Sequence, residues 1–471
     1  MMNMNTPPPL PSHAPITQPI WRFLKRGATL FKMMGIGALI LILLIPLGMI
    51  GFVLRERMER RNEAVGEITS VWGREQSVIG PVLIVPYRYA VKVWKDQVVS
   101  GGKVERVEVV ESATANAYFL PSRMMVEAKI VPKEVKRGIY RAVIYEGEVE
   151  LVGAFQRPDF GNLRIEEKNV LWEDAVVTLA IPEMRGVKET LQLGWGEKRI
   201  PMAPGVKLKG FSMGVHARVG GLRESEGMIP MKLGIRLNGS GGIRFTPIAE
   251  ENIVRVESGW ANPSFQGAFL PDSREVGVEG FKAKWQIAQY GREYAQQWTD
   301  QESAGILNPQ SVGSSLFGVN FLSGVDSYRN VERAIKYGVL FLVLVFAVFF
   351  LFEVLAKLRI HPFQYLLVGV ALCLFYLGLL SLSEFVEFSV AYWVAALVTT
   401  LMIGFYCFKV LKSGVRTVIV GGLLLGIYGF LYITLQLQDY SLVMGTGGLF
   451  VVLAAVFYLT RNIDWYFQDE R

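Results

Sequence analysis

Nucleophilic, acid–base and metal chemistry draws mostly on histidine, cysteine and paired carboxylates. This chain holds three histidines, His13, His216 and His361, and two cysteines, Cys373 and Cys407. A Ser-His-Asp relay needs a histidine to carry the proton. The central region offers only His216, in FSMGVHARVG, where alternation of apolar and polar residues reads as a strand. An ordinary strand residue is its expected role. Structural zinc needs three or four Cys or His ligands at close spacing, and the sequence contains no such grouping. Neither GxxxxGK[ST] nor GxGxxG opens a helix after a strand. The carboxylate pairs Glu166–Glu167 and Glu250–Glu251 fall at turns. Adjacency along the chain does not give the separation in space that glycoside hydrolysis requires. The sequence therefore predicts no catalytic residue, no cofactor and no metal, and an envelope hydrolase is the least favoured reading.

One charged pattern does stand out, on the borders of apolar runs. Glu384, Glu387 and Asp439 follow each other on breaks that carry no base, and Arg329, Arg333 and Lys336 precede the second apolar run. These six residues form a candidate rim at which a large outer domain docks on membrane helices. Glu353 lies near the end of an apolar run, where it can meet Lys357 at i+4 as an interfacial anchor.

The elements that must position these residues are membrane helices. Half of the 471 residues are hydrophobic (51%) and 19% are charged, with a mean hydropathy of +0.31; a soluble domain is less apolar. A bilayer crossing takes about 20 apolar residues. Six runs qualify: 33–54, then 338–356, 362–382, 388–408, 416–435 and 441–460. The first is too long and too far from the start for a cleaved signal peptide, and LRERMERR follows it instead of a small-x-small site. Pro46 is tolerable inside a membrane helix. In VIVGGLLLGIYGFLYITL, Gly421, Gly422, Gly426 and Gly429 permit close helix packing.

Short loops set the orientation. The break KLRIH carries Lys357 and Arg359, and KVLKSGVR carries Lys409, Lys412 and Arg416; SEFVEF and QLQDY carry only acids. Basic and acidic loops alternate, so the basic ones are assigned to the cytoplasm. Both termini are then cytoplasmic and residues 55–336 lie outside. The flanks of the first run do not decide, since four bases stand on each side. Residues 1–32, with TPPPLPSHAP, read as a disordered cytoplasmic leader, and 461–471 as a cytoplasmic tail.

Residues 55–336 hold seven of the ten tryptophans. AVKVWKDQVV and KVERVEVVE alternate around SGG as a hairpin. RMMVEAKIVP, GIYRAVIYEGEVELVGAF, AVVTLAIP, MKLGIRLNG and EVGVEGFKAKWQIAQY alternate likewise. The expected fold is a six-span α-helical membrane protein with a sandwich-like, all-β outer domain between spans 1 and 2, and a five-helix bundle over 337–460. Residues 185–210 are a candidate seam between β lobes, and 300–325 a loop-rich return. The net charge of +7 is spread among acids and is no nucleic-acid footprint.

Several longer stretches carry a resemblance. They are WGREQSVIGPVLIVPY (72–87), RGIYRAVIYEGEVELVGAF (137–155), NPSFQGAFLPDSREV (262–276), ERAIKYGVLFL (332–342), IHPFQYLLVGVALCLFYLGLLSLSE (360–384) and YLTRNIDWY (458–466). In this order they resemble the CreD family of bacterial inner-membrane proteins, from about residue 50 to 466. The resemblance implies a Gram-negative inner membrane, a periplasmic outer domain and a link to envelope stress and integrity, under two-component control in some bacteria. It carries over no enzymatic activity, cofactor or catalytic residue. The expected function is a non-enzymatic envelope factor whose β-domain binds an unidentified envelope partner. The alternative is a transporter or flippase-like protein for an envelope lipid. The bilayer is the one partner the composition names.

Overall fold

A computed structural model describes residues 28–99, 103–225, 227–303, 305–321, 327–355, 360–411, 413–437 and 440–461. It divides into two compact units, one of residues 1–60 with 326–471 and one of residues 61–325. Helix α1, Ala28–Trp72, runs through the division. At 1.5 Å per residue its 45 residues extend for about 67 Å. The first half is apolar, and RERMERR opens the charged remainder. Residues 28–32, the end of the expected leader, are helical, and Lys32 has a partner in the fold, described below; residues 1–27 of that leader lie outside the described residues.

The unit of residues 61–325 is built from strands. They are β1 (Gln76–Val99), β2 (Lys103–Phe119), β3 (Arg123–Arg137), β4 (Tyr140–Phe155), β5 (Val176–Ala180), β6 (Gln192–Trp195), β7 (Lys198–Pro201), β8 (Ala203–Pro204) and β9 (Gly214–Arg218). After them come β10 (Ile229–Ser240), β11 (Gly242–Phe245), β12 (Glu251–Ser258), β13 (Pro263–Gly267), β14 (Ser273–Gly277), β15 (Gly280–Ala288), β16 (Gln297–Thr299) and β17 (Phe317–Phe321). One sheet runs β13-β17-β11-β1-β5-β9-β8, with β2 on β1 and β16 on β2. The other runs β14-β15-β12-β3-β4-β10-β6-β7.

Alternation explains why the sheets stack. In β10 buried and exposed residues alternate over Ile229–Leu237, so every second side chain enters the core. Aromatic residues join the two inner faces: Tyr145 of β4 meets Phe321 of β17 at 5.2 Å, and Trp285 of β15 meets Phe265 and Phe317 at 5.8 and 5.7 Å. One apolar cluster extends from Val78 to Phe321 through both sheets. The candidate seam at 185–210 holds β6, β7 and β8, which pass the chain from the second sheet to the first. The expected return at 300–325 holds more order than its loop-rich composition suggests: a short helix, α2 (Pro309–Ser315), capped by Asn308, and then β17.

The other unit contains α3 (Ser327–Lys336), α4 (Gly338–Leu355), α5 (Pro362–Ser383), α6 (Phe388–Val410), α7 (Gly414–Gln436) and α8 (Ser441–Thr460), together with the first part of α1. Residues 326–336, read from sequence as the end of the outer domain, group with these helices. Among the described residues four helices are long and apolar enough to cross a bilayer: Phe31–Trp72, Pro362–Ser383, Phe388–Val410 and Gly414–Gln436. The pair α3 and α4, bent by 47°, makes a fifth if counted as one span. Helix α8 has 20 residues, and its stretch Val443–Tyr458 is apolar. Phe341, Phe375, Tyr376, Tyr392 and Tyr428 of four helices pack together, with Phe375 and Tyr428 rings 4.6 Å apart. Gly369 lets α5 approach Leu43 of α1, where a Cβ would collide. Phe405, Val418, Phe450 and Val451 are exposed, an apolar surface suited to lipid.

Candidate functional site

The helical unit is polar at its two ends. At one end Glu353, 7% exposed, lies in the last turn of α4. Its carboxylate accepts from the Tyr365 hydroxyl of α5 at 2.9 Å and from the backbone N–H of Ile360 at 3.0 Å. Lys32 of α1 forms the ion pair with it and donates to the Ile360 carbonyl at 3.1 Å. The pairing with Lys357 suggested by i+4 spacing lies outside the described residues. The partner in the fold is 321 residues away in sequence, so no local spacing could reveal it. A carboxylate taken out of water needs both a counter-charge and hydrogen bonds. This one has them from α1, from α5 and from the backbone just ahead of α5.

The opposite set of helix ends receives the expected rim. Glu384 accepts from the Tyr328 hydroxyl at 3.3 Å and pairs with Arg57 at 3.7 Å. Arg333 donates to the Leu435 carbonyl at 3.1 Å, and Lys336 pairs with Glu332 at 2.9 Å. Glu384 and Arg333 therefore take different partners. Arg329 is exposed on α3, and Glu387 is exposed at the start of α6 without a capping bond. Asp439 lies outside the described residues. The rim residues that do make contacts tie α1, α3, α5 and α7 of the helical unit to one another.

The β unit gathers a second carboxylate site that sequence reading missed. Asp300 follows β16. One of its oxygens accepts from the Asn116 backbone and side-chain N–H groups, each at 3.0 Å; the other accepts from the Tyr118 hydroxyl at 2.8 Å and faces Lys209 Nζ at 2.8 Å. Burial alone would raise the Asp300 carboxyl, but Lys209, the Tyr118 hydroxyl and the Asn116 amide hold it below the usual carboxylate range. Burial, reinforced by Asp300, pushes the Tyr118 hydroxyl well above its ordinary value. Trp298 stacks on Tyr118 with ring centroids 5.1 Å apart and planes 5° from parallel. A cleft of about 220 Å³ opens here, lined by Lys209, Trp298, Asp300, Glu302, Asn308 and Pro309. Its chemistry is recognition: an aromatic wall, a basic arm and a satisfied acid. WTD at 298–300 gives no signal of this in sequence, because the donors come from β2 and from the loop at 209.

His216 sits in β9 between Thr178 and Ala203, its Nδ1 2.6 Å from the Gly205 carbonyl. Among the described residues no three His, Cys, Asp or Glu side chains are grouped to hold a metal ion. Both cysteines are buried as free thiols.

Two comparisons bear on these units. A model of the family described as inner membrane protein CreD matches residues 28–466. The chain is also similar to the inner membrane protein CreD of Escherichia coli (strain K12), with 30% identity over 442 residues, covering 93% of each chain.

Proposed function

Because this chain belongs to the CreD family of inner membrane proteins, we propose that it is a non-enzymatic factor for envelope integrity. Its multi-pass helical unit resides in the inner membrane, and its β unit binds an envelope partner on the periplasmic side. The observation that carries this reading is the Asp300 cleft, where an aromatic wall and an exposed Lys209 flank a carboxylate already satisfied by four donors. Such a site recognises rather than reacts. The alternating basic and acidic loops support six crossings with both termini in the cytoplasm. In that reading the helix at 441–460 provides the sixth crossing.

In-cell photo-crosslinking from position 209 tests the proposal. A discrete adduct that Asp300→Ala removes is expected. Adducts no different from those at an arbitrary exposed position would refute it.

A second reading, movement of an envelope lipid or component, draws on a different observation. The Tyr376 hydroxyl is buried in the helical unit with no hydrogen-bond partner among the described residues, and Glu353 is a buried ionisable group. Purified protein in lipid vesicles would then accelerate headgroup translocation. Rates equal to protein-free vesicles remove this reading.

A further inference from the structure

The two sheets of the β unit end differently on their two sides. On one side the end strands are β7, four residues closing on Pro201, and β8, two residues closing on Pro204. Short strands and proline blunt an edge, since proline has no N–H to offer an added strand. On the other side the end strands are β13 and β14, five residues each. All five residues of β14 are exposed, with no proline among them. The two-residue turn that returns to β15 carries Val278, 94% exposed, and is closed by Gly280 at φ +135°. This stretch closes NPSFQGAFLPDSREV: Phe265 and Phe269 of that segment pack against the core, whereas Ser273–Val276 at its end stay exposed.

The outer face leading to this edge is a charge row. Registers place Arg236, Glu148, Lys129, Glu257, Lys282 and Glu275 side by side on β10, β4, β3, β12, β15 and β14. Signs alternate without exception, and Arg236–Glu148 and Lys282–Glu257 are formed ion pairs at 3.2 and 3.3 Å. Directly opposed unlike charges stabilise a sheet and like charges weaken it. The row stops on Glu275, and among the described residues no strand pairs beyond β14. A trough of about 430 Å³ runs beside it, lined in part by Lys129, Glu257, Arg274 and Lys282.

Deepening the partner-binding reading above, and resting on it, we infer that β14 accepts an extended polypeptide segment as a further strand, with a basic residue opposite Glu275. Backbone bonds along an open edge supply affinity, and the next charge in the row supplies register. A second copy of this chain fits less well. In the antiparallel registers centred on the middle of β14 that keep the outer faces together, Arg274 or Glu275 opposes its own counterpart.

The test uses full-length protein in lipid nanodiscs and two labelled heptapeptides. Both alternate valine and threonine; one has lysine at its centre and the other glutamate. Binding of the lysine peptide, about fivefold tighter than the glutamate peptide, with slowed amide exchange at 273–277 and none at β7, is the expected result. Glu275→Lys should reverse the order and Glu275→Gln should abolish the difference. Absence of protection at 273–277, or an order unchanged by Glu275→Lys, overturns the inference. Protection of 273–277 that grows with protein concentration alone overturns it in favour of a second copy. In cells, adducts from position 209 without any from position 276 overturn the edge while the partner-binding reading stands.

Discussion

Glu353 and Asp300 solve one problem in two surroundings. Each is an acid inside a fold, and each collects donors from distant parts of the chain. In the helical unit Glu353 relies on one cation, Lys32, together with Tyr365 and a backbone N–H. In the β unit Asp300 spreads its charge over Asn116, Tyr118 and a Lys209 that is itself largely exposed. Water near Asp300 shares the work of solvation, whereas Glu353 has little water to call on. An acid in an apolar bundle therefore acts as an obligatory clamp between helices, and an acid at a β-domain cleft as an adjustable floor. Losing a partner should be costlier in the first case than in the second.

The largest expected effect follows directly. Glu353→Ala leaves Lys32 without its counter-charge and should destabilise the helical unit by about 3–5 kcal/mol. Maleimide labelling of the buried thiols Cys373 and Cys407 reports its opening, which should occur at lower temperature in the variant. The double change Lys32→Met with Glu353→Leu should recover most of that loss, because a buried ion pair can be replaced by apolar groups at little cost. If the double variant labels as readily as the single one, the clamp is not an isolated pair.

Asp300→Ala comes next, at about 1–3 kcal/mol from lost hydrogen bonds. Tryptophan fluorescence, dominated by the seven tryptophans of residues 55–336, should follow it while thiol labelling stays unchanged. Acid sharpens the contrast. The folded Asp300 carboxyl lies below its unfolded value, so its contribution is complete above the unfolded pKa, about 3.9. That contribution fades as pH falls through the folded value. Between neutral pH and about pH 3 the fluorescence midpoint should drop more in the parent chain than in Asp300→Asn. Equal slopes would mean that Asp300 gains nothing from its donors.

A smaller effect distinguishes partners at the rim. Glu384→Arg should be rescued in part by Arg57→Glu and not by Arg333→Glu, with a change of about 1 kcal/mol, since the contact is long at 3.7 Å and Arg57 is partly exposed. Rescue by Arg333→Glu alone would reassign the contact. The smallest belongs to the charge row: Lys129→Glu sets like charges beside Glu148 and Glu257 and should cost about 0.2–1 kcal/mol.

Sequence and structure agree where a single period carries the information. AVKVWKDQVV and KVERVEVVE pair as β1 and β2 because alternation marks both strands and SGG lies between them. The apolar runs become helices, which satisfy their own backbone without help from solvent. Sheet order was not legible, since β1 meets β11, and β12 meets β3, as parallel neighbours across more than a hundred residues. Short strands such as β8 and β16 are too brief to show a period. Asn308 before Pro309 was a readable helix start that the loop-like composition around it concealed. The sites were hidden for a common reason: Lys32 reaches Glu353, and Asn116 reaches Asp300, only through tertiary packing.

The most direct measurement places one cysteine at Val278, exposed in the β unit, in a chain whose own two thiols are buried. Spheroplasts are treated with a membrane-impermeant maleimide before and after lysis. The account predicts labelling at full extent before lysis. Labelling that appears only after lysis would put the β unit on the cytoplasmic side and contradict the proposed role in the envelope.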